Sequence, residues 1–272
     1  MTGESGRLRG SALAMMAGAA ALTGCVRQDP PTAQAPQARP AASDYAAPPE
    51  LDHAIRGASG MVTLSGSARP DSAIRLASPD GSALTAAASQ SGRWTLSAPA
   101  GPAPRLYSLS EVLAGRPLRA RGYLAALPWP ATPAALLRPG AAAEPLAAGP
   151  PRFELSAVDF DRSGAGVVAG LARPGDVVRV ELDGTPAGEG RANASGVFTV
   201  PLSPTLQAGP HRLTAVTSRA RESASFDAAP AGFIARPPFT AARLAAAWRI
   251  DWITPGGGVQ TSILFDPKEN RA

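Results

Sequence analysis

The chain has few side chains suited to covalent or acid–base work. It holds one cysteine, Cys25, and two histidines, His53 and His211. A single thiol forms no intramolecular disulfide and no cysteine-based zinc site. Two carboxylate pairs, Asp159 with Asp161 and Glu181 with Asp183, stand two residues apart. On a strand each pair shares a face, as calcium ligation or general acid–base chemistry requires. Their glycine-rich surroundings favour the plainer role of turn residues. His211 follows Gly209-Pro210 and is expected on the surface at a strand start; His53 is expected beside a linker and solvated. Gly164-Ala165-Gly166 with Gly170 imitates a dinucleotide fingerprint, but its spacing is one residue too long and no strand–loop–helix context follows. The motifs Gly-x-Ser-x-Gly, His-Glu-x-x-His and Cys-x-x-Cys do not occur, and Gly256-Gly257-Gly258 lacks the Lys-Ser/Thr of a P-loop. The expectation is a non-enzymatic protein with no catalytic residue, no metal site and no cofactor.

The elements around these residues are read from composition first. Over 272 residues the chain carries 28 glycines and 29 prolines and only 5% aromatics. That excludes an all-helical fold and predicts many turns, with cores of small aliphatic side chains. The net charge is +5, almost all from arginine; Lys268 is the only lysine. The arginines are scattered, with Arg119-Ala120-Arg121 and Arg219-Ala220-Arg221 as the densest runs. Aromatics do not interleave them as a base-stacking platform would need, so no nucleic-acid partner is expected.

Arg7 and Arg9 precede an apolar stretch from Ser11 to Leu22. As a helix it would rise about 18 Å, short of a bilayer core of roughly 30 Å. It reads as a signal-peptide core rather than a permanent span. It ends in Leu22-Thr23-Gly24-Cys25, which resembles the lipobox of bacterial lipoproteins. The resemblance covers residues 1–25. It implies that Cys25 is acylated, becomes the new N-terminus and anchors the protein to a membrane. Val26 stands where that family commonly places an inner-membrane-retaining Asp, which implies the outer membrane, facing the periplasm. Residues 26–59 read as a disordered Pro/Ala-rich tether. The 23 residues from Gln28 to Glu50 hold six prolines and would reach roughly 70 Å if extended at about 3.1 Å per residue.

Two stretches then repeat 104 residues apart. Gly66, Ala68, Arg69 and Pro70 match Gly170, Ala172, Arg173 and Pro174. Ser91-Gly92-Arg93-Trp94-Thr95-Leu96 matches Ser195-Gly196-Val197-Phe198-Thr199-Val200 in the same register, and Asp80-Gly81 answers Asp183-Gly184 one residue off it. Alternating Val62 and Leu64, Ile74 and Leu76, or Val178, Val180 and Leu182, separated by Pro, Gly and Asp-Gly turns, predict short antiparallel strands. A further strand is expected over 211–216 and another over 118–124. The pattern resembles bacterial immunoglobulin-like repeats of surface and envelope proteins. Copy one departs from it, with Asp71-Ser72 in place of a Gly after the proline. The resemblance implies an all-β fold: immunoglobulin-like domains at 60–127 and 152–228, a Pro/Ala-rich linker at 128–151, and a C-terminal segment at 229–272.

That last segment holds a hairpin signal. Trp248, Ile250 and Trp252 alternate on one face, Pro255-Gly256-Gly257-Gly258 turns, and Val259 to Phe265 returns. A short helix is expected over 241–247 from its alanines. The aromatic face either packs on the second sandwich, or across both, or serves as a binding surface formed by Trp248, Trp252 and Arg249. The preferred function is a lipid-anchored structural or protein-binding module of the cell envelope. A carbohydrate-binding lipoprotein, taking peptidoglycan or polysaccharide, is the alternative. An uncharacterised envelope hydrolase comes third.

Overall fold

The structure is a computed structural model and describes residues 47–57, 60–113, 115–146 and 152–267. The signal peptide, the lipobox with Cys25 and most of the tether lie outside the described residues. The described elements are all strands. The first half of the body comprises β1 (Glu50–Arg56), β2 (Met61–Ser67), β3 (Ala73–Ala77), β4 (Ala83–Ala87), β5 (Arg93–Pro99), β6 (Arg105–Leu113), β7 (Arg116–Arg119), β8 (Tyr123–Ala126), β9 (Ala134–Leu137) and β10 (Glu144–Leu146). The second comprises β11 (Glu154–Asp161), β12 (Gly166–Leu171), β13 (Val177–Leu182), β14 (Thr185–Arg191), β15 (Val197–Pro201), β16 (Pro210–Val216), β17 (Arg221–Asp227), β18 (Phe239–Arg243), β19 (Ala247–Ile253) and β20 (Val259–Phe265).

Four antiparallel sheets form. β1-β2-β5 faces a sheet ordered β10-β9-β8-β6-β3-β4, with β7 also paired to β6. β15-β12-β11-β20-β19-β18 faces β14-β13-β16-β17. The two halves repeat one topology: β1-β2-β5 corresponds to β11-β12-β15, and β4-β3-β6 to β14-β13-β16. This is an immunoglobulin-like sandwich, made twice. The duplication extends to backbone detail. β1 bulges between Leu51 and His53, and β11 bulges between Leu155 and Ala157. A Cβ on Gly66 would strike the Glu50 carbonyl and come 2.7 Å from the Trp94 ring; one on Gly170 would strike the Glu154 carbonyl and come 2.6 Å from the Phe198 ring. Only glycine permits that approach. Asp71 adopts φ 57°, the left-handed turn position that Gly175 fills at φ 83°, so copy one keeps the turn without its glycine.

Copy one also holds an ion pair of its own. Glu111 on β6 is wholly buried and accepts hydrogen bonds from the Arg69 guanidinium at 2.7 and 2.9 Å. Ser72 Oγ donates to it at 3.1 Å and the Arg69 amide at 3.2 Å. The carboxylate thus fastens the Arg-Pro-Asp turn to the sheet.

Four expectations about elements need correction. The strand expected over 118–124 breaks at residues 120–122 into β7 and β8. Residues 50–56, read as tether, form β1. Residues 128–146, within the expected linker, include β9 and β10, with Trp129, Ala134, Ala135, Leu137 and Leu146 buried. The helix expected over 241–247 does not form: Ala241 and Ala242 belong to β18, which pairs with β19, Ala245 and Ala246 lie in the bend between the strands, and Ala247 opens β19.

These added strands build a third core. On β8, Leu124 and Ala126 face the first sandwich core, while Ala125, and Leu127 just past the strand, face the other way. On β11 and β20, Val158 and Ile263 face the second sandwich core, while Ala157 and Leu264 face away from it. The outward residues meet: Leu106, Leu127, Trp129 and Leu137 pack with Ile250, Trp252 and Leu264. Four sheets thus enclose three cores. Strands β8, β11 and β20 are buried on both faces, and on β11 and β20 the buried residues include the polar Ser156, Asp159, Gln260, Thr261 and Ser262.

Candidate functional site

The face predicted for binding is interior. Trp252 is fully buried at the centre of the third core. Its ring meets Tyr123 edge-on at 5.8 Å between centroids, and its indole N–H donates to Ser262 Oγ at 3.0 Å. Arg249 is 14% exposed and is held by Asp251 at 3.0 Å and by the Ala229 carbonyl at 2.8 Å. Trp248 packs partly buried beside the same core, under the Arg243 guanidinium at 5.7 Å. The alternation of Trp248, Ile250 and Trp252 was correctly placed on one face, but that face is covered by the first sandwich. Trp252 and Arg249 are therefore structural, and the hairpin packs across both halves.

The titratable candidates resolve differently. Asp161 caps its own turn, accepting from the Ser163 amide at 2.8 Å, and Asp183 sits in a turn at φ 52°. His211 is not a bare surface residue. Its Nδ1 lies 2.7 Å from Asp183 Oδ2, and its Nε2 lies 2.8 Å from the Gln207 carbonyl. Burial works against a charge on the ring, but bonds to the Asp183 carboxylate and the Gln207 carbonyl outweigh it and raise its pKa. With each nitrogen facing an acceptor, a proton on the ring is held in place rather than passed on. Among the described residues, no three His, Cys, Asp or Glu side chains gather as a metal site.

Asp159 is the residue that sequence reasoning underrated. It is wholly buried on β11 and accepts from the Ala143 amide of the first half at 2.6 Å, from Ser262 Oγ and from Gln260 Nε2 at 3.2 Å. Gln260 extends the link: its Oε1 accepts from the Gly140 amide at 2.9 Å and its Nε2 donates to the Ala141 carbonyl at 3.0 Å. Burial pushes the Asp159 carboxyl up to about 6, against the pull of these three hydrogen bonds. All three donors are fixed: a backbone amide, a carboxamide oriented by its other end, and a hydroxyl whose oxygen already accepts from Trp252. The site suits an acceptor-only carboxylate. It joins the halves and touches no solvent, so its role is cohesion. In sequence Asp159 is one of four polar residues of β11, beside Glu154, Ser156 and Asp161, and no local pattern marks it out.

Among the described residues a broad cleft of about 1130 Å³ opens on the first half. The start of β1 from Pro48 to His53, the segment Arg121–Leu124, Arg138 and Glu144 line it, together with Leu171, Ser195 and Val197 of the second half. Its walls mix apolar and charged groups. Arg93–Asp52 at 2.8 Å and Arg138–Glu144 form ion pairs there, and Arg121 is exposed. The arrangement offers a mixed surface, suited to a macromolecular contact rather than to small-molecule chemistry.

No protein family matches the sequence, and no curated protein matches it. Solved structures with a similar course include the BSP domain of a biofilm associated protein, 13% identical, covering 68% of this chain and 30% of that one at TM-score 0.25. A second, described as giving insight into host cell surface retention of a 1.5-MDa bacterial ice-binding adhesin, is 13% identical and covers 65% of this chain and 61% of that one at TM-score 0.21. The central fibronectin-III array of RIM-binding protein is 15% identical, covering 78% and 74% at TM-score 0.26. The chain thus spans less than two thirds of the first two. The fold assignment rests on the strand pairing described above.

Proposed function

We propose that this chain is a lipid-anchored cell-envelope protein whose body is a rigid, non-enzymatic structural and protein-binding module. The observation that supports it best is the third core. Tandem sandwiches joined by a free linker swing independently; here the segment between them is folded into both, so the body presents its surfaces at fixed separation. Upstream, the charged start, the short apolar stretch and Leu22-Thr23-Gly24-Cys25 stand in the order that lipidation requires. A proline-rich stretch between anchor and body holds the body away from the lipid. Val26 after the cysteine favours the outer membrane, facing the periplasm.

Membrane fractionation with mass spectrometry of the N-terminal peptide tests this reading. Acylated Cys25 in the outer-membrane fraction, with Cys25→Ala moving to the soluble periplasm, is expected. An unmodified N-terminus, or a wild-type protein found soluble, would overturn the anchor. Co-purification of a defined envelope protein from that membrane is the expected sign of the binding role.

A further inference from the structure

The nine outer edges of the four sheets, that of β7 included, are not equally protected. Eight carry a proline or a charged residue: β5, β7 and β10 hold Pro99, Pro117 and Pro145, β14 and β15 hold Pro186 and Pro201, and β1, β17 and β18 carry charges. Such residues discourage a foreign strand from pairing. The ninth edge, β4, reads Ala83-Leu84-Thr85-Ala86-Ala87, with no charge, no proline and an unbroken register against β3.

The hydrogen-bond phase of β4 shows what it offers. The Ser78 amide bonds the Ser82 carbonyl at 2.8 Å, and the Ala88 amide bonds the Ser72 carbonyl at 2.9 Å. In an antiparallel pair such bonds fall on alternate residues, so residues 84 and 86 pair inward. The N–H and C=O groups of Ala83, Thr85 and Ala87 therefore point to the open edge. The duplicate strand is built otherwise. β14 bulges at Ala187, whose carbonyl accepts from the Ser203 amide at 2.8 Å, and it carries Glu189 and Arg191. Copy two has closed an edge that copy one leaves open.

We propose that β4 pairs antiparallel with β4 of a second copy of this chain, joining two first sandwiches into one continuous sheet. Three donors and three acceptors in a row call for an extended strand, and among the described residues β4 is the one edge without a proline or a charge, so the partner's β4 is its match. Pairing about Thr85 sets Thr85 opposite Thr85 and Ala83 opposite Ala87, so no like charges meet and the hydroxyls at the dyad stand in reach of each other. The inference does not depend on acylation of Cys25.

The test uses the full chain carrying Cys25→Ser, which leaves no other thiol. Sedimentation is expected to move from monomer toward dimer as concentration rises. Thr85 on the dyad is a hydrogen-bonded pair, with Cα atoms about 5.5 Å apart, inside the disulfide range of about 4.4–6.8 Å. Thr85→Cys should therefore cross-link on oxidation. Ala87→Cys should not, because its counterparts lie about 13 Å apart along the strands. Thr85→Pro removes only an outward N–H, so it should abolish the dimer. Should that variant not fold, the two cysteine variants still decide. A monomer at every concentration, equal cross-linking of the two cysteines, or a dimer that survives Thr85→Pro in folded protein would overturn the proposal. So would a monomer that instead takes up an added extended peptide at this edge.

Discussion

The Asp159 carboxylate on β11 accepts a hydrogen bond of 2.6 Å from the Ala143 amide beside β10. A buried acidic group with no cation among its hydrogen-bond partners thus spans the two sandwiches. Its folded pKa, about 6, lies above the unfolded value of 3.8. Its contribution to stability is therefore fully present below about pH 4 and is lost as pH rises to about 6, a change of about 3 kcal/mol if about two pKa units are fully expressed. Urea unfolding at pH 5 and pH 7.5 should show the protein more stable at pH 5. Asp159→Asn should flatten this dependence and also lower stability at pH 5, because an amide NH₂ would face fixed donors. His211 acts with the same sign but in a higher window, since its stabilisation is fully present only below pH 6.5. A slope between pH 4 and 6 that survives in Asp159→Asn would assign the titration elsewhere.

Trp252 tests the third core. Its truncation to Ala should cost about 3–5 kcal/mol, and the loss should fall on the coupling between sandwiches. The wild type is expected to unfold in one transition, seen alike by far-ultraviolet and tryptophan signals. Trp252→Ala should separate these into two. A single transition with unchanged midpoint would mean that the third core contributes little.

The Arg69–Glu111 pair predicts an asymmetry. Arg69 is 36% exposed at its side chain and Glu111 is 0%. Removing Arg69 leaves an uncompensated buried carboxylate, a loss of about 3–5 kcal/mol. Replacing Glu111 by Gln frees Arg69 to turn into water and should cost less. Denaturant midpoints of Arg69→Ala and Glu111→Gln decide it, and the reverse order would refute the account.

Glycines of the repeat should differ in tolerance. Gly170→Ala drives a Cβ into the Glu154 carbonyl and the Phe198 ring, where backbone cannot yield, and should destabilise by at least about 2 kcal/mol. Asp71→Gly, which copies Gly175 of the other half, relieves a left-handed conformation and should be neutral or stabilising, by up to about 1 kcal/mol. Thermal unfolding of both variants measures this.

The repeats were legible because their glycines, turn residues and alternating apolar residues all obey a local rule. What escaped has identifiable causes. β1 was hidden by its own bulge: the extra residue at Asp52 sets buried Leu51 and Ala54 three apart, so period-two reading fails. β9 was hidden by composition, since Ala134 to Leu137 lies between prolines that also mark linkers. Its alanines are core because a sheet on either side needs thin strands. Asp159 is visible as a residue but not as a clasp, because two of its partners, Gln260 and Ser262, lie about a hundred positions away in sequence and the third, Ala143, lies across the junction of the two halves. The covering of Trp252 is likewise a tertiary fact, decided by the return of residues 128–146 rather than by the hairpin itself.

Strands buried on both faces bear on how far the body can be divided. A β-sandwich with one wet face can be cut out, moved and grafted, because its outer surface is already compatible with water. Here, excising either half would bare a patch of leucine and tryptophan on β8 and β9, or on β19 and β20, and such patches drive aggregation. The smallest unit that can be produced, shuffled or swapped between proteins is thus the pair, even though its sequence is written as two copies of one domain.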